Sequence, residues 1–187
     1  MSLSKSRVSG AVKAMTGSCE QEMVAVYHSA SAEQTRALGE AVGRLVDAGD
    51  VIALTGDLGT GKTLFVGGLA MGLGVDPATY VSSPTFTIMH RYCGRLPLYH
   101  IDLYRIETPE AFASLGLDEF VEGDGVAAIE WAEHGCGCLP KERLTFRLRH
   151  TGSDARTIEI VPEGDRYLRL LQELTREFPT ASGVIDA

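Results

Sequence analysis

The eight residues Gly56-Asp57-Leu58-Gly59-Thr60-Gly61-Lys62-Thr63 match the pattern GxxxxGK[ST] at every fixed position. Glycines at these spacings let successive backbone N–H groups turn inward around phosphate oxygens, and the positive end of a following helix points at the same charge. The pattern predicts that Lys62 spans the β- and γ-phosphates of a bound nucleotide and that Thr63 offers its hydroxyl to Mg²⁺. A triphosphate site also needs an acid near the metal, usually at the carboxyl end of a strand. Two residues qualify: Asp102 ends the apolar stretch Leu98-Tyr99-His100-Ile101, and Glu130 ends Val126-Ala127-Ala128-Ile129. Either is otherwise a solvated strand-end carboxylate. His100 alternates with Asp102, so both side chains face the same side of a strand. Ser83-Pro84-Thr85-Phe86 reads as a stiff X-Pro turn with two hydroxyls, suited to sensing a γ-phosphate, or else as an ordinary turn. Guanine-specific sites use an Asn/Thr-Lys-x-Asp segment; the chain has no asparagine and no Lys-x-Asp, which favours ATP.

The elements around these residues arrive in the order the chemistry needs. Val51 to Leu54 is a continuous apolar run, read as a buried strand that feeds the glycine loop, with a helix from about Gly61 to Leu73 ending at Gly74. Upstream, "MVAVYH" predicts a first strand. A helix then puts Leu38, Ala41, Val42, Leu45 and Val46 on one face, capped by Ser31 with Gln34 and closed by Gly49. Downstream, "TFTIMHRY" and "LPLYHIDLYRI" flank "CGR" as a hairpin, with Pro97 moving the second strand toward an edge. Thr108 and Pro109 start a helix that Gly116 ends, and "GVAAIEW" is another buried strand. "RLTFRLRH" and "RTIEIVP" alternate as a half-exposed hairpin, and Leu168, Leu171 and Leu174 mark a last helix. The expected fold is one α/β P-loop domain over 23–178, its central sheet mostly parallel with an antiparallel hairpin and helices on both faces. Tails are expected at 1–22 and 179–187.

With 187 residues, 44% of them apolar, the chain has the material for one core. Its formal charge is −8 and no run of Lys or Arg occurs, which argues against unaided nucleic-acid binding. No membrane-length apolar run is present, and Cys19, Cys93, Cys136 and Cys138 are too scattered for a disulfide framework, so the cytoplasm is the expected compartment. The Cys136-Gly137-Cys138 pair, with only His134 nearby, lacks four spaced ligands for a structural metal. Residues 1–19 carry Lys5, Arg7, Lys13 and five serines with no acid, a loose transit-peptide composition without a recurrent apolar face.

"GDLGTGKT", "SPTFT", "LYHIDLYRI", "IEWAEH" and "LP", in that order and at short spacings, resemble the bacterial TsaE (YjeE) family of P-loop ATPases over about Ala32 to Arg156. The combination of H-x-DLYR with EW is more specific than the P-loop alone, which unrelated enzymes share. The resemblance implies ATP hydrolysis that keeps a TsaB–TsaD complex cycling in threonylcarbamoyl-adenosine formation on tRNA, with tRNA met only indirectly. It implies phosphate and metal roles for Lys62 and Thr63, a metal-linked Glu130, a Walker-B-like Asp102 and a switch-like Thr85. It sets Trp131 beside the nucleotide, Thr35 near the adenine, and Gly152 and Arg156 in a late segment that reaches the nucleotide. Leu64 stands where some relatives carry another hydroxyl. No arginine finger is evident, since Arg91, Arg95 and Arg105 lie on or between the hairpin strands, so slow turnover alone and stimulation by a partner are expected. The competing expectations are a small-molecule kinase and a nucleotide-dependent binding switch without useful turnover.

Overall fold

The computed structural model describes residues 23–121, 123–135, 137–178 and 181–186. Its strands are β1 (Met23–Ser29), β2 (Val51–Thr55), β3 (Met89–Cys93), β4 (Pro97–Asp102), β5 (Val126–Glu130), β6 (Arg143–His150), β7 (Arg156–Glu163) and β8 (Ala181–Asp186). Its helices are α1 (Ala32–Leu45), α2 (Lys62–Gly72), α3 (Pro109–Ala113), α4 (Asp118–Val121) and α5 (Asp165–Glu177), with a 3-10 turn at Ala132–Gly135. The strands form one sheet in the order β3-β4-β5-β2-β6-β7-β1-β8. Its centre, β4-β5-β2-β6, is parallel, and both flanks are antiparallel. The sheet is therefore mixed, with a parallel core where the nucleotide motif sits and hairpins on each side. The N-terminal tail expected over 1–22 lies outside the described residues. The expected tail over 179–187 instead contains β8, which pairs with the edge of β1 that β7 leaves open.

Helices cover both faces. On one face α1, α2 and α5 bury Leu38, Val42, Phe65, Leu69, Leu170 and Leu174 against Ile52, Leu54, Phe146 and Ile160. The other face packs Phe112, Leu117 and Val121 of the α3–α4 segment on Ile101, Ala127 and Ile129. Each of these leucines is fully buried or nearly so and contributes about 2 kcal/mol. In α5 the buried face is Tyr167, Leu170, Leu171 and Leu174, so Leu171 and Leu174 point inward as expected while Leu168 is only half-buried.

The junction of α1 and α2 fixes the loop helix. Gly39 and Gly43 on α1 face Gly68 and Gly72 on α2 so closely that a Cβ on Gly68 would stand 2.0 Å from the Arg36 carbonyl, and one on Gly72 2.1 Å from that of Glu40. The helices touch backbone to backbone, an approach only glycine allows.

Several boundaries differ from expectation for stated reasons. Ser31 caps α1 as expected, accepting from the Gln34 N–H, while the Gln34 side chain accepts from the N–H of Ala30. The helix stops at Leu45 rather than near Gly49 because Arg95, remote in sequence, donates to the carbonyls of Gly43 (3.0 Å), Arg44 (3.3 Å) and Val46 (2.5 Å). Residues 85–88 form a turn, not the start of a strand: the N–H groups of Thr87 and Ile88 both bond the Pro84 carbonyl. Pro97 begins β4, yet β4 is interior and β3 is the edge, since Pro97 pairs with Cys93 and needs no donor on its other side. Tyr167 and Arg166 tie α5 to the start of β2, the tyrosine oxygen accepting from the Val51 N–H at 2.7 Å and the guanidinium meeting Asp50 at 2.6 Å. Among the described residues no helix is long and apolar enough to cross a membrane.

Candidate nucleotide site

Strands β2, β4 and β5 end level with one another, Leu54 opposite Glu130 and Glu130 opposite Asp102, so the loop after β2 and both acids open at the same end of the sheet. Parallel α/β sheets bind ligands at this carboxyl edge. The loop turns through Gly56 (φ 127°), Gly59 (φ 83°) and Gly61 (φ 105°) and enters α2 with no side-chain cap, leaving the first-turn amides to an anion. Gly56 has no alternative, because a Cβ there would stand 2.2 Å from the Leu148 carbonyl.

Lys62 is buried and folded back on its own loop. Its Nζ donates to the carbonyls of Gly56 (2.5 Å) and Asp57 (3.0 Å) and lies 3.7 Å from the centre of the Trp131 ring. Burial pushes the ammonium below the ordinary lysine value, while Glu130, Glu133, Asp102 and Asp57 act to hold it up. Trp131, directly after β5, adopts a left-handed φ of 56°, which turns its ring back over the lysine. Tyr104 packs on the ring at 4.9 Å between centroids.

The two acids are held differently. Asp102 Oδ2 accepts from Ser83 (2.6 Å) and Thr85 (2.7 Å), and its Oδ1 from the Tyr104 N–H (2.8 Å). The two hydroxyls also touch each other at 2.7 Å. Glu130 Oε1 bonds His100 Nε2 at 2.8 Å, leaving Oε2 available. Lys62, Thr63, Thr85, Asp102, Glu130 and Trp131 border one cleft of about 380 Å³, within the range of small-ligand sites. Leu58, Gly59, Gly61 and Leu64 line its P-loop side.

Other expected residues lie behind that cleft. Gly56, Asp57 and Thr60 shape the loop, Thr60 Oγ1 donating to the Asp57 carbonyl at 2.9 Å. Thr35 and Arg156 meet at 2.7 Å, and the Arg156 guanidinium stands 3.6 Å from where a Gly61 Cβ would be, so they buttress the loop from the α1 side. Gly152 is in the exposed β6–β7 turn, its N–H on the Ala155 carbonyl. Cys138 and Cys93 are exposed, and Cys136 lies outside the described residues.

Sequence reasoning named Ser83 only as part of the Ser83–Phe86 turn and did not nominate Tyr104 or Glu133 as site residues. The two hydroxyls around Pro84 were the signal for Ser83. Glu133 carried none, and it accepts from the Gly56 N–H at 3.4 Å. Among the described residues no group of three or more His, Cys, Asp or Glu could hold a metal alone. The donors present, a threonine hydroxyl and two carboxylates, are the hard oxygens that Mg²⁺ takes when phosphates and water complete its shell.

A family model described as threonylcarbamoyl adenosine biosynthesis protein TsaE matches residues 29–158. A tRNA threonylcarbamoyladenosine biosynthesis protein TsaE of Bacillus subtilis is 43% identical over 151 residues, covering 80% of this chain and 93% of the relative. Its counterpart in Treponema pallidum is 45% identical over 132 residues, covering 71% and 96%. The crystal structure of Bacillus subtilis YdiB superposes with a TM-score of 0.74 at 38% identity, covering 85% of this chain and 99% of that one. The match spans the P-loop, both acids, Trp131 and Arg156, and the chain belongs to the TsaE family.

Proposed function

We propose that this chain hydrolyses ATP with Mg²⁺ as a supporting subunit in threonylcarbamoyladenosine formation on tRNA. It would act in the cytoplasm through a TsaD–TsaB-type complex and meet tRNA only through that partner. The observation that carries the reading is the single cleft in which Lys62 and Thr63, opening an uncapped helix, face Asp102 and Glu130. The names of the relatives supply the tRNA product.

In this reading the loop amides and the α2 N-terminus cradle the phosphates. Lys62 exchanges the carbonyls of Gly56 and Asp57 for β- and γ-phosphate oxygens, trading neutral acceptors for charged ones. Thr63 and Glu130 would hold Mg²⁺, which supplies neutralisation of the phosphate charge when bound. Asp102, its oxygens already accepting three hydrogen bonds, positions water or the Ser83–Thr85 loop rather than serving as a free ligand. That same latch is the observation favouring the switch reading, because a γ-phosphate that recruits Thr85 would release the loop.

ATP turnover measured with and without a purified TsaD–TsaB complex, with tRNA present and absent, tests the proposal. The expected result is slow turnover alone that rises with the complex, and at least tenfold loss in Glu130→Gln without a matching loss of thermal stability. Turnover indifferent to the complex, or a phosphorylated small-molecule product, would reject it.

A further inference from the structure

His100 is a fully buried polar side chain of β4, two residues before Asp102 on the sheet face that packs under the α1 and α2 helices. Its strand neighbour on that face toward the N-terminus is Leu98, and across the parallel β4–β5 ladder it stands opposite Ala128, with Val126 opposite Leu98. An imidazole among these residues is costly to bury unless something requires it, and a leucine or phenylalanine would pack there without the penalty. The ring leans along the strand, over the small Ala128, to reach Glu130 at 2.8 Å. Nδ1 is buried with no hydrogen-bond partner among the described residues, so the ring's one polar contact is with that carboxylate. A carboxylate offers only acceptors, which makes Nε2 the donor and fixes the tautomer.

From this geometry we infer that His100 is a positioning residue for Glu130: its Nε2–H holds Oε1 so that Oε2 is presented to the nucleotide side of the cleft. The inference rests on the reading of Glu130 as the metal-side acid and deepens it. Glu130 is almost fully buried and stands near the Lys62 ammonium, which attracts it. Without the imidazole the carboxylate is free to turn away from the cation's side of the cleft, while Lys62 keeps the loop carbonyls that it would exchange for phosphate. Partners of this kind, one bond removed from a ligand, typically change metal affinity ten- to hundredfold when lost.

The test is calorimetric affinity for a non-hydrolysable ATP analogue, with and without Mg²⁺, in wild type, H100Q, H100N and H100L, beside the thermal midpoint of each. Glutamine carries an amide N–H to the reach of Nε2, whereas asparagine stops short of it. The expected result is that the tightening conferred by Mg²⁺ falls at least tenfold in H100N and H100L, stays within about threefold of wild type in H100Q, and that Mg²⁺-free affinity moves less than twofold throughout. Should H100L not fold, the H100Q and H100N pair carries the same contrast with two polar side chains. An unchanged Mg²⁺ increment in H100N, or losses in H100Q and H100N that are equal and track the thermal midpoints with and without Mg²⁺ alike, overturns the inference while leaving Glu130 its role. Analogue affinity in the wild type that ignores Mg²⁺ overturns the Glu130 reading and the inference with it.

Discussion

The P-loop flank and the Ser83–Ile88 loop meet at one cleft but are held there by different physics. On the P-loop side the contacts are backbone on backbone. Glycines of α1 and α2 press carbonyl against Cα, and Gly56 abuts the Leu148 carbonyl. The backbone there cannot shift at these contacts without displacing α1 or α2. On the other side the loop hangs by two hydroxyls on Asp102, the turn bonds to Pro84, and Ile88, a β-branched residue at φ 67°. A β-branched residue in that region is strained by about 1–2 kcal/mol. One wall of the cleft is thus held by backbone packing and the other by two hydroxyls and a strained turn, the division that the proposed nucleotide-sensing role would use.

The largest effects are expected at the backbone contacts of the P-loop side. Gly68→Ala forces a Cβ to within 2.0 Å of the Arg36 carbonyl, where no flexible side chain can yield. It should cost about 3 kcal/mol and lower the thermal midpoint by roughly 10 °C, with nucleotide affinity falling along with it. A midpoint within about 2 °C of wild type would mean the helices can part freely. Lys62→Ala acts on the same wall without touching the glycine contact between α1 and α2. Triphosphate affinity should drop about 10–100-fold, the range of a lost charge-assisted contact, while the melting curve shifts far less than for Gly68→Ala. Calorimetry checks the first and scanning fluorimetry the second.

Substitutions on the releasable wall should act on coupling rather than on binding. Thr85→Ala leaves Asp102 bonded to Ser83 and to the Tyr104 N–H, so stability should fall by only about 1 kcal/mol. Nucleotide affinity should stay within about threefold and partner-stimulated turnover should fall by more. Equal losses in binding and stimulation would remove the distinction between the walls. The smallest effect is expected from Ile88→Gly, where relief of left-handed strain is offset by lost side-chain packing and a more flexible unfolded chain, leaving urea stability within about 1 kcal/mol of wild type. A loss beyond about 2 kcal/mol would show that this loop is packed as firmly as the P-loop.

The same division explains how much could be read from the chain. The P-loop, its strand and its helix are local in sequence, so spacing alone placed Gly56 to Thr63, and alternation placed the β6–β7 hairpin. The acids too were legible, because each ends an apolar run. What escaped depends on residues far apart in the chain. Arg95 ends α1 across about fifty residues, and Glu133 reaches back to Gly56. The glycines of α1 and α2 matter only once the two helices are laid together. The turn at 85–88 looked like strand because Thr, Phe and Ile favour extended backbone, and the Pro84 carbonyl with the Asp102 carboxylate overrode that preference.

Trp131 is the chain's only tryptophan and its ring centre lies 3.7 Å from Lys62 Nζ, the group that leaves it to reach phosphate in the proposed function. A titration of intrinsic fluorescence with ATP and Mg²⁺ therefore reads the central event directly. A saturable change is expected at one nucleotide per chain, of matching affinity by calorimetry, and largely abolished in Lys62→Ala. No change at concentrations where calorimetry shows the site filled, or an undiminished change in Lys62→Ala, would contradict the proposed function.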